Sequence, residues 1–414
     1  MVSGLYRLLV SVNKFVQIRN PGSTSGPDGT SNFERMFNLE QLLQVSPGMI
    51  VFWVMVLGFL IVIFYYLFYF LRVARYKPVA AMVQETPPVS IVICAKNEED
   101  NLTKFLPLVL AQDYPNFEVV VVNDCSWDNT GDILEEFAKR HPNVKVVTLK
   151  EDEYYQHGKK VALMLGVKGA THELMLLTDA DCRPASDQWL KHMVMRFNVG
   201  SDIILGYGPF TPEKGLLNRI IRFDAAMIGI TYLSFSLAGT TYMGVGRNLA
   251  YKKKLFYKVK GFASHYHIPS GDDDLFVNEA APGQKTAVVL EKEAFTYTKA
   301  KDTFRGWWRQ KQRHLLTGKR YKFKHKFLLG LYIVGQWLFF AGFIAALILQ
   351  FQWMVVTALF ALRLLVQMLI FNSCFKKLDE KGLVLLVPFM ELYFLLFYPV
   401  ITLARVLRRK TPWN

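Results

Sequence analysis

The chain has 414 residues, a formal net charge of +15, and 52% hydrophobic against 20% charged residues. That length holds more than one domain with an ample core. Long apolar stretches flank a mixed, polar middle and the cations crowd beside those stretches, which argues against a wholly water-soluble protein and against a nucleic-acid binder.

Residues 1–48 include the Pro/Gly/Ser-rich segment Asn20–Asn32 and no span-length apolar run, so a disordered or amphipathic segment is expected there. A signal-peptide h-region is absent from the first residues, and Met36 is a candidate start. Met49–Leu71 is nearly free of charge and long enough to cross a bilayer, giving an expected transmembrane helix over 49–73. Arg72, Arg75 and Lys77 follow it, and Lys292–Lys326 is strongly basic before the next apolar stretch. Positive-inside bias places the block between them in the cytoplasm, and the protein in a plasma (inner) membrane.

From Pro87 the pattern alternates. Strands are predicted over Val89–Cys94, Val119–Val122, Val144–Leu149, Leu174–Leu177 and Ile203–Tyr207, with helices over Glu99–Gln112, Gly131–Arg140 and Gly158–Gly169. Strands separated by such helices imply right-handed crossovers and a mainly parallel, Rossmann-like α/β sheet. Gly215–Leu237 carries a stripe of Leu216, Ile220, Phe223 and Met227 opposite Asn218, Arg219, Arg222 and Asp224, as expected of a helix that packs on the core or lies in a membrane interface.

Asn97-Glu98, Asn123-Asp124 and Asp179-Ala180-Asp181 each follow a predicted strand, and Asp272-Asp273-Asp274 adds a fourth cluster. Ligands of open α/β sheets bind at the carboxyl ends of the strands, so these acids should converge on one crevice. Alternate residues at a strand end share a face, so Asp179 and Asp181 can approach one Mg²⁺ or Mn²⁺ bound to a diphosphate. Cys94, Cys125, Cys182 and Cys374 lack metal-ligand spacing and read as reduced structural residues; His157, His265 and His267 read as surface or packing residues.

Phe327–Gln350, Trp353–Asn372 and Leu383–Ala404 are three further membrane-length stretches, forming a C-terminal membrane region over 327–405. Arg363 and Glu391 lie near the middles of the second and third, and are expected to pair. Three full crossings would leave the cationic tail of Arg405, Arg408, Arg409 and Lys410 outside, against its preference; Pro388 and Pro399 suggest that 383–404 is instead re-entrant or interfacial.

Val89–Glu99, Asn123–Thr130, Gly158–Leu163 and Asp179-Ala180-Asp181, in that order and spacing, resemble the signature of the family 2 inverting glycosyltransferases, over roughly 87–320. The resemblance, strongest to the membrane-bound branch that includes bacterial polysaccharide synthases, implies a GT-A fold and a nucleotide-diphosphate sugar donor such as a UDP-sugar. By that likeness Ala95, Asn97, Glu98, Asp124, Lys159 and Asp179 hold the nucleotide, while Asp181 with Asp179 ligates the metal. Ser270–Phe276 is similar to the family's acid-Asp motif, which implies Asp273 as general base, with Asp272 and Asp274 as alternatives and helix capping as the plain structural role of either.

Gln310-Lys311-Gln312-Arg313-His314 resembles the Gln-x-x-Arg-Trp motif of polysaccharide-extending synthases, which implies that Gln310, Arg313 and His314 face the acceptor or diphosphate. His314 stands where a Trp would stack on the acceptor sugar, and Trp307 or Trp308 could provide a platform instead. Gly244–Asn248, with Gly246, is similar to the acceptor-side segment. The resulting expectation is a membrane-anchored, metal-dependent hexosyl- or N-acetylhexosaminyltransferase. It would act on a lipid-linked or glycan acceptor at the membrane, with partner subunits or a homo-oligomer. The alternatives are a processive polysaccharide synthase (poly-N-acetylglucosamine, hyaluronan or cellulose-like) and a non-catalytic scaffold or export component.

Overall fold

The computed structural model describes residues 46–78, 85–150 and 158–407. The N-terminal residues up to 45, together with His157, Arg408, Arg409 and Lys410, lie outside the described residues. The first element is helix α1, Pro47–Ala74, which widens into a π-helical turn at Tyr65–Phe70. Strand β1 (Val89–Ala95), α2 (Glu99–Leu110), β2 (Phe117–Asp124), α3 (Thr130–Arg140), β3 (Val144–Leu149), α4 (Lys159–Gly169) and β4 (Leu174–Asp179) then follow the predicted alternation within a few residues at each end.

Strands β1, β2 and β4 are mainly apolar because both faces of the sheet are covered there, whereas β3 at the edge mixes buried and exposed residues. Val89, Ile91 and Ile93 of β1 point to the side of α2, where they meet Leu102, Leu106 and Val109. Val92 and Val120 point the other way, toward Leu163 and Val167 of α4. Each fully buried Val or Ile contributes about 1.5–3 kcal/mol. Gly166 lets α4 close down on the sheet: a Cβ there would lie 2.6 Å from Val92 Cγ1. That approach carries the start of α4, and with it Lys159, to the carboxyl ends of the strands.

Short elements complete the α/β unit: β5 (Arg183–Pro184), α5 (Trp189–Val194), β6 (Ile203–Leu205), α6 (Leu216–Leu237), β7 (Leu249–Lys252), α7 (Lys253–Lys258), α8 (Asp274–Ala280), β8 (Thr286–Val288), β9 (Thr296–Tyr297) and α9 (Phe304–His314). The seven-stranded sheet has the order β3-β2-β1-β4-β7-β6-β8. Pairing is parallel except where β7 runs against β4 and β6. The sequence reading lacked β7, because its four residues directly follow a Gly-rich segment that reads as a loop.

Helices α10 (Phe323–Ile348), α11 (Trp353–Lys377) and α12 (Val387–Leu407) end the described chain. Among the described residues, five helical stretches are long and apolar enough to cross a membrane: Pro47–Ala74, Leu216–Leu237, Phe323–Ile348, Trp353–Lys377 and Val384–Arg405. Small residues let α1 and α10 touch backbone to backbone, since a Cβ on Gly58 would lie 2.4 Å from Phe339 N and one on Gly342 2.8 Å from Met55 Cβ. The expected ion pair forms between Arg363 of α11 and Glu391 of α12 at 2.6 Å, joined by Gln336 of α10 and Tyr66 of α1.

Two elements choose among readings the sequence leaves open. Helix α6 packs on the core and buries residues of both its sides: Asn218, Arg222 and Asp224 of the polar side and Phe223 of the apolar stripe are buried, while Arg219 and Leu216 are exposed. The reason for the polar burial is electrostatic, because Arg222 pairs with buried Glu380 at 2.7 Å, and Asp224 meets the ammonium of Lys311 on α9 and the Tyr398 hydroxyl of α12. The second is α12, which runs through Pro399 as one helix and is not broken into a re-entrant hairpin. Glu380, just before it, and Phe397 and Tyr398, at its middle, all touch the α/β unit.

Candidate active site

The site grows from three parallel strand ends held in register, with Ala95 beside Asn123 and Cys94 beside Asp179. Asn97 leaves β1 in the left-handed region at φ +56, a conformation that Asn tolerates better than most residues. Its amide oxygen accepts from Trp127 N–H at 3.0 Å, and its own N–H donates to Ser126 Oγ at 3.0 Å. Glu98 N–H donates to Thr130 Oγ1 at 2.9 Å, so the loops after β1 and β2 form one stitched ledge. The Glu98 carboxyl accepts from Asn101 at 2.6 Å, and burial nevertheless raises it above the ordinary carboxylate range. Asp124 is buried, and its Oδ1 has no hydrogen-bond partner among the described residues. An orphaned buried carboxylate oxygen costs free energy unless a ligand donates to it.

At the end of β4, Asp179 accepts from Lys159 Nζ at 2.6 Å. The same ammonium lies 3.4 Å from Asp272, so Lys159 bridges the strand end and the loop that enters α8. Burial alone would lower its pKa, but Asp179 and Asp272 overcome that and hold the ammonium well above its usual value. One ligand atom from each of Asp179, Asp181 and Cys182 can lie within 4.8 Å of the others. Burial pushes the Cys182 thiol well up, and its Sγ lies 3.4 Å from Asp181 Oδ1 as donor. The carboxylate oxygens of Asp179 and Asp181 suit a hard divalent cation.

The three consecutive aspartates occupy three different environments. Gly271, at φ +98, turns the chain into them. Asp273 caps α8: its Oδ1 accepts from Asp274 N–H at 2.7 Å and its Oδ2 from Gly246 N–H at 2.8 Å. Capping was expected of Asp272 or Asp274, and the structure gives it to the middle residue. Burial, then the charges of Asp272 and Asp274, raise the Asp273 carboxyl to about 7. Burial also opposes charge on Asp272, but the adjacent Lys159 ammonium outweighs it and holds that carboxyl low. Asp274 is enclosed by the Thr317 and Tyr321 hydroxyls and by Leu275 N–H, which makes it a structural anchor. Cys94, Lys159, Thr178, Asp179, Asp272 and Asp273 share one cleft, and Gly246 forms its floor.

The remaining expected residues sit at the rim or outside it. Arg313 and His314 are exposed at the end of α9, and Gln310 is half-buried; none lines the cleft. Ser270 Oγ donates to the Arg313 carbonyl at 3.3 Å, which fixes the end of α9 beside the aspartate loop. Trp307 cannot serve as a sugar platform: it is fully buried and stacks on Phe397 of α12, with ring centroids 4.9 Å apart. Sequence reasoning missed Thr178, whose buried hydroxyl lacks a hydrogen-bond partner among the described residues, and the Asp224, Lys311 and Tyr398 cluster behind α9. The signal for the cluster was present, since Lys311 lies inside the motif and Asp224 is an acid within an apolar helix.

The family model described as glycosyl transferase family 2 matches residues 90–260, and that of glycosyl transferase family group 2 matches residues 182–404. A poly-beta-1,6-N-acetyl-D-glucosamine synthase of Staphylococcus epidermidis is 27% identical over 238 residues, covering 56% of this chain and 54% of that protein. Glycosyltransferase AglE of Haloferax volcanii is 34% identical over 137 residues, 32% of this chain and 43% of AglE. The match thus spans about half the length of these curated relatives. Among solved structures, the mannosyltransferase PcManGT of Pyrobaculum calidifontis, in complex with GDP-Man and Mn²⁺, superposes with a TM-score of 0.54 at 19% identity, covering 81% of this chain and 99% of that one. This last likeness establishes the shared fold.

Proposed function

The chain belongs to glycosyl transferase family 2, and on that footing we propose that it is a membrane-anchored, inverting, metal-dependent glycosyltransferase. It transfers a sugar from a nucleoside-diphosphate donor to an acceptor presented at the membrane. The observation that carries this reading is the pairing of Asp273, a buried carboxyl poised near neutrality and fixed by two backbone N–H groups, with a cationic Lys159 on the same cleft. A general base works best when its pKa lies near the working pH, and catalysts of this kind are tuned upward by burial and like charge.

In this mechanism the donor's base lies on the ledge after β1 and β2 and donates to the orphaned Asp124 Oδ1. Lys159 and Arg313 meet the diphosphate. Asp273 takes the proton of the acceptor hydroxyl as that oxygen attacks the anomeric carbon; the bond from that carbon to the diphosphate oxygen breaks on the opposite face, and the nucleoside diphosphate leaves with the electron pair. Asp179 and Asp181 would hold the Mg²⁺ or Mn²⁺ that neutralises charge on the departing diphosphate. Arg72, Arg75 and Lys77 at the end of α1, with the cations before α10, favour a cytoplasmic α/β unit.

The similarity to a poly-N-acetylglucosamine synthase supports a second reading, processive extension. The exposed His314, in place of a stacking Trp, weighs against it. Membranes containing the protein, given Mg²⁺ or Mn²⁺, endogenous acceptor and a panel of nucleotide-sugars, should release nucleoside diphosphate with one donor and lose that release in Asp273→Asn. Release that persists in the variant would overturn the assignment of the base. Product length separates single addition from polymerisation.

A further inference from the structure

Away from the catalytic cleft, a concavity of ≈ 400 Å³ opens between the first turns of α6 and the segment joining α11 to α12. Lys214, Arg219, Arg222 and Lys381 line it, with Glu213 as the one acid. Arg222 is committed to Glu380 through two hydrogen bonds of 2.9 and 2.7 Å. The side chains of Lys214, Arg219 and Lys381 are exposed, and none has a hydrogen-bond or ion-pair partner among the described residues. Three uncompensated cations around one hollow repel each other, a cost that an anion relieves.

The surroundings indicate the kind of anion. The segment joining two membrane-length helices must sit near a membrane surface, and Lys292 Nζ fastens it to the α/β unit through Asp379 at 2.6 Å. Leu216, two residues after Lys214, and Leu385 and Phe389, four and eight residues after Lys381, are 66%, 75% and 71% exposed. Cations flanked by bare apolar side chains match a ligand with a phosphate at one end and hydrocarbon at the other. A water-soluble phosphate would use only the first half of that surface. The volume falls within the roughly 300–1,000 Å³ usual for ligand sites.

We propose that this cavity binds the phosphodiester headgroup of an anionic phospholipid, with its acyl chains running over Leu216, Leu385 and Phe389. The bound headgroup clamps the first turns of α6 to the bilayer. Farther along the same helix, Asp224 holds Lys311 of α9, so the lipid anchors the frame behind the catalytic cleft. The proposal depends on the membrane reading of the apolar helices and is independent of glycosyl transfer.

The test is native mass spectrometry of the full chain in detergent with an equimolar mixture of phosphatidylglycerol and phosphatidylcholine. Wild type should retain phosphatidylglycerol preferentially. Combining Lys214→Ala, Arg219→Ala and Lys381→Ala should reduce that retention by about fivefold per cation removed, while Glu213→Gln should increase it. Since the three cations hold no partner and repel one another, their loss should not lower the melting temperature. Equal retention of the two lipids, or equal phosphatidylglycerol retention by wild type and the triple variant, overturns the proposal. Retention of added inorganic phosphate without phosphatidylglycerol overturns the lipid assignment.

Discussion

The Gly246 amide N–H donates to Asp273 Oδ2 at 2.8 Å and so aims the other lobes of that carboxylate across the cleft. A Cβ at Gly246 would lie 3.4 Å from Asp273 Cβ, ordinary van der Waals contact, so alanine fits there while a larger side chain would crowd the carboxylate. Gly246→Val should therefore lower kcat several-fold with less effect on donor KM, and Gly246→Ala should change it little. Asp273→Asn should lower kcat/KM by about 10²–10⁴-fold, the usual weight of a general base. Steady-state kinetics with the identified donor checks both.

The pH profile carries a sharper signature. With the Asp273 carboxyl at about 7, the active, deprotonated form is lost as pH falls through neutrality, so kcat/KM should drop on the acid side of about pH 7. Asp272 contributes to that elevation through its charge, so in Asp272→Asn the acid limb should move to lower pH. An unmoved limb would show that another group titrates.

The same carboxyl should be felt in stability. Its folded value lies above the unfolded value of about 3.9, so the native state binds more protons between the two and loses stability as pH rises from about 4 to about 7. Asp273→Asn removes that loss. Its melting temperature should match wild type near pH 4 and exceed it at pH 8, a comparison that thermal unfolding in detergent makes directly.

Arg363 and Glu391 form the one ion pair between membrane-length helices among the described residues, with Arg363 also over the Phe339 and Phe340 rings. Glu391→Leu alone leaves a buried guanidinium unpaired and should cost about 3–5 kcal/mol. Adding Arg363→Met should restore most of that loss. Chemical unfolding of the single and double variants tests the coupling.

Helix α12 meets the α/β unit before its start, at Glu380, and at its middle, at Phe397 and Tyr398. Beyond that contact only Pro399–Leu407 remains, about 14 Å of helix against a hydrocarbon core of about 30 Å. A remainder too short to cross favours a helix lying along the interface, which would leave the cationic C-terminus on the same side as the α/β unit. Impermeant thiol labelling of a cysteine added at the C-terminus should match labelling of one added in α3. Opposite labelling would establish a crossing.

The parallel half of the sheet was legible because each buried strand reads as an unbroken apolar run ending in an acid. Strand β7 was hidden by its length, four residues with no alternation to detect. Placing the acidic clusters at strand ends followed from topology, whereas their different environments did not. Three identical residues, Asp272, Asp273 and Asp274, acquire different chemistry only from Lys159, Gly246 and Thr317, which come from distant parts of the chain. Helix α6 left two readings open for a related reason, since its partners Glu380 and Lys311 are 158 and 87 residues away from Arg222 and Asp224.

Lys159 spans Asp179 and Asp272. A divalent cation held by Asp179 would therefore have to compete with a tethered ammonium for that carboxylate, and phosphates bound alongside it would offer the ammonium another partner. Free cation should consequently bind weakly, and cation with nucleotide much more tightly. Lys159→Ala should reverse that order, strengthening metal binding without nucleotide while weakening it with nucleotide, a thermodynamic coupling readable by calorimetry without any turnover.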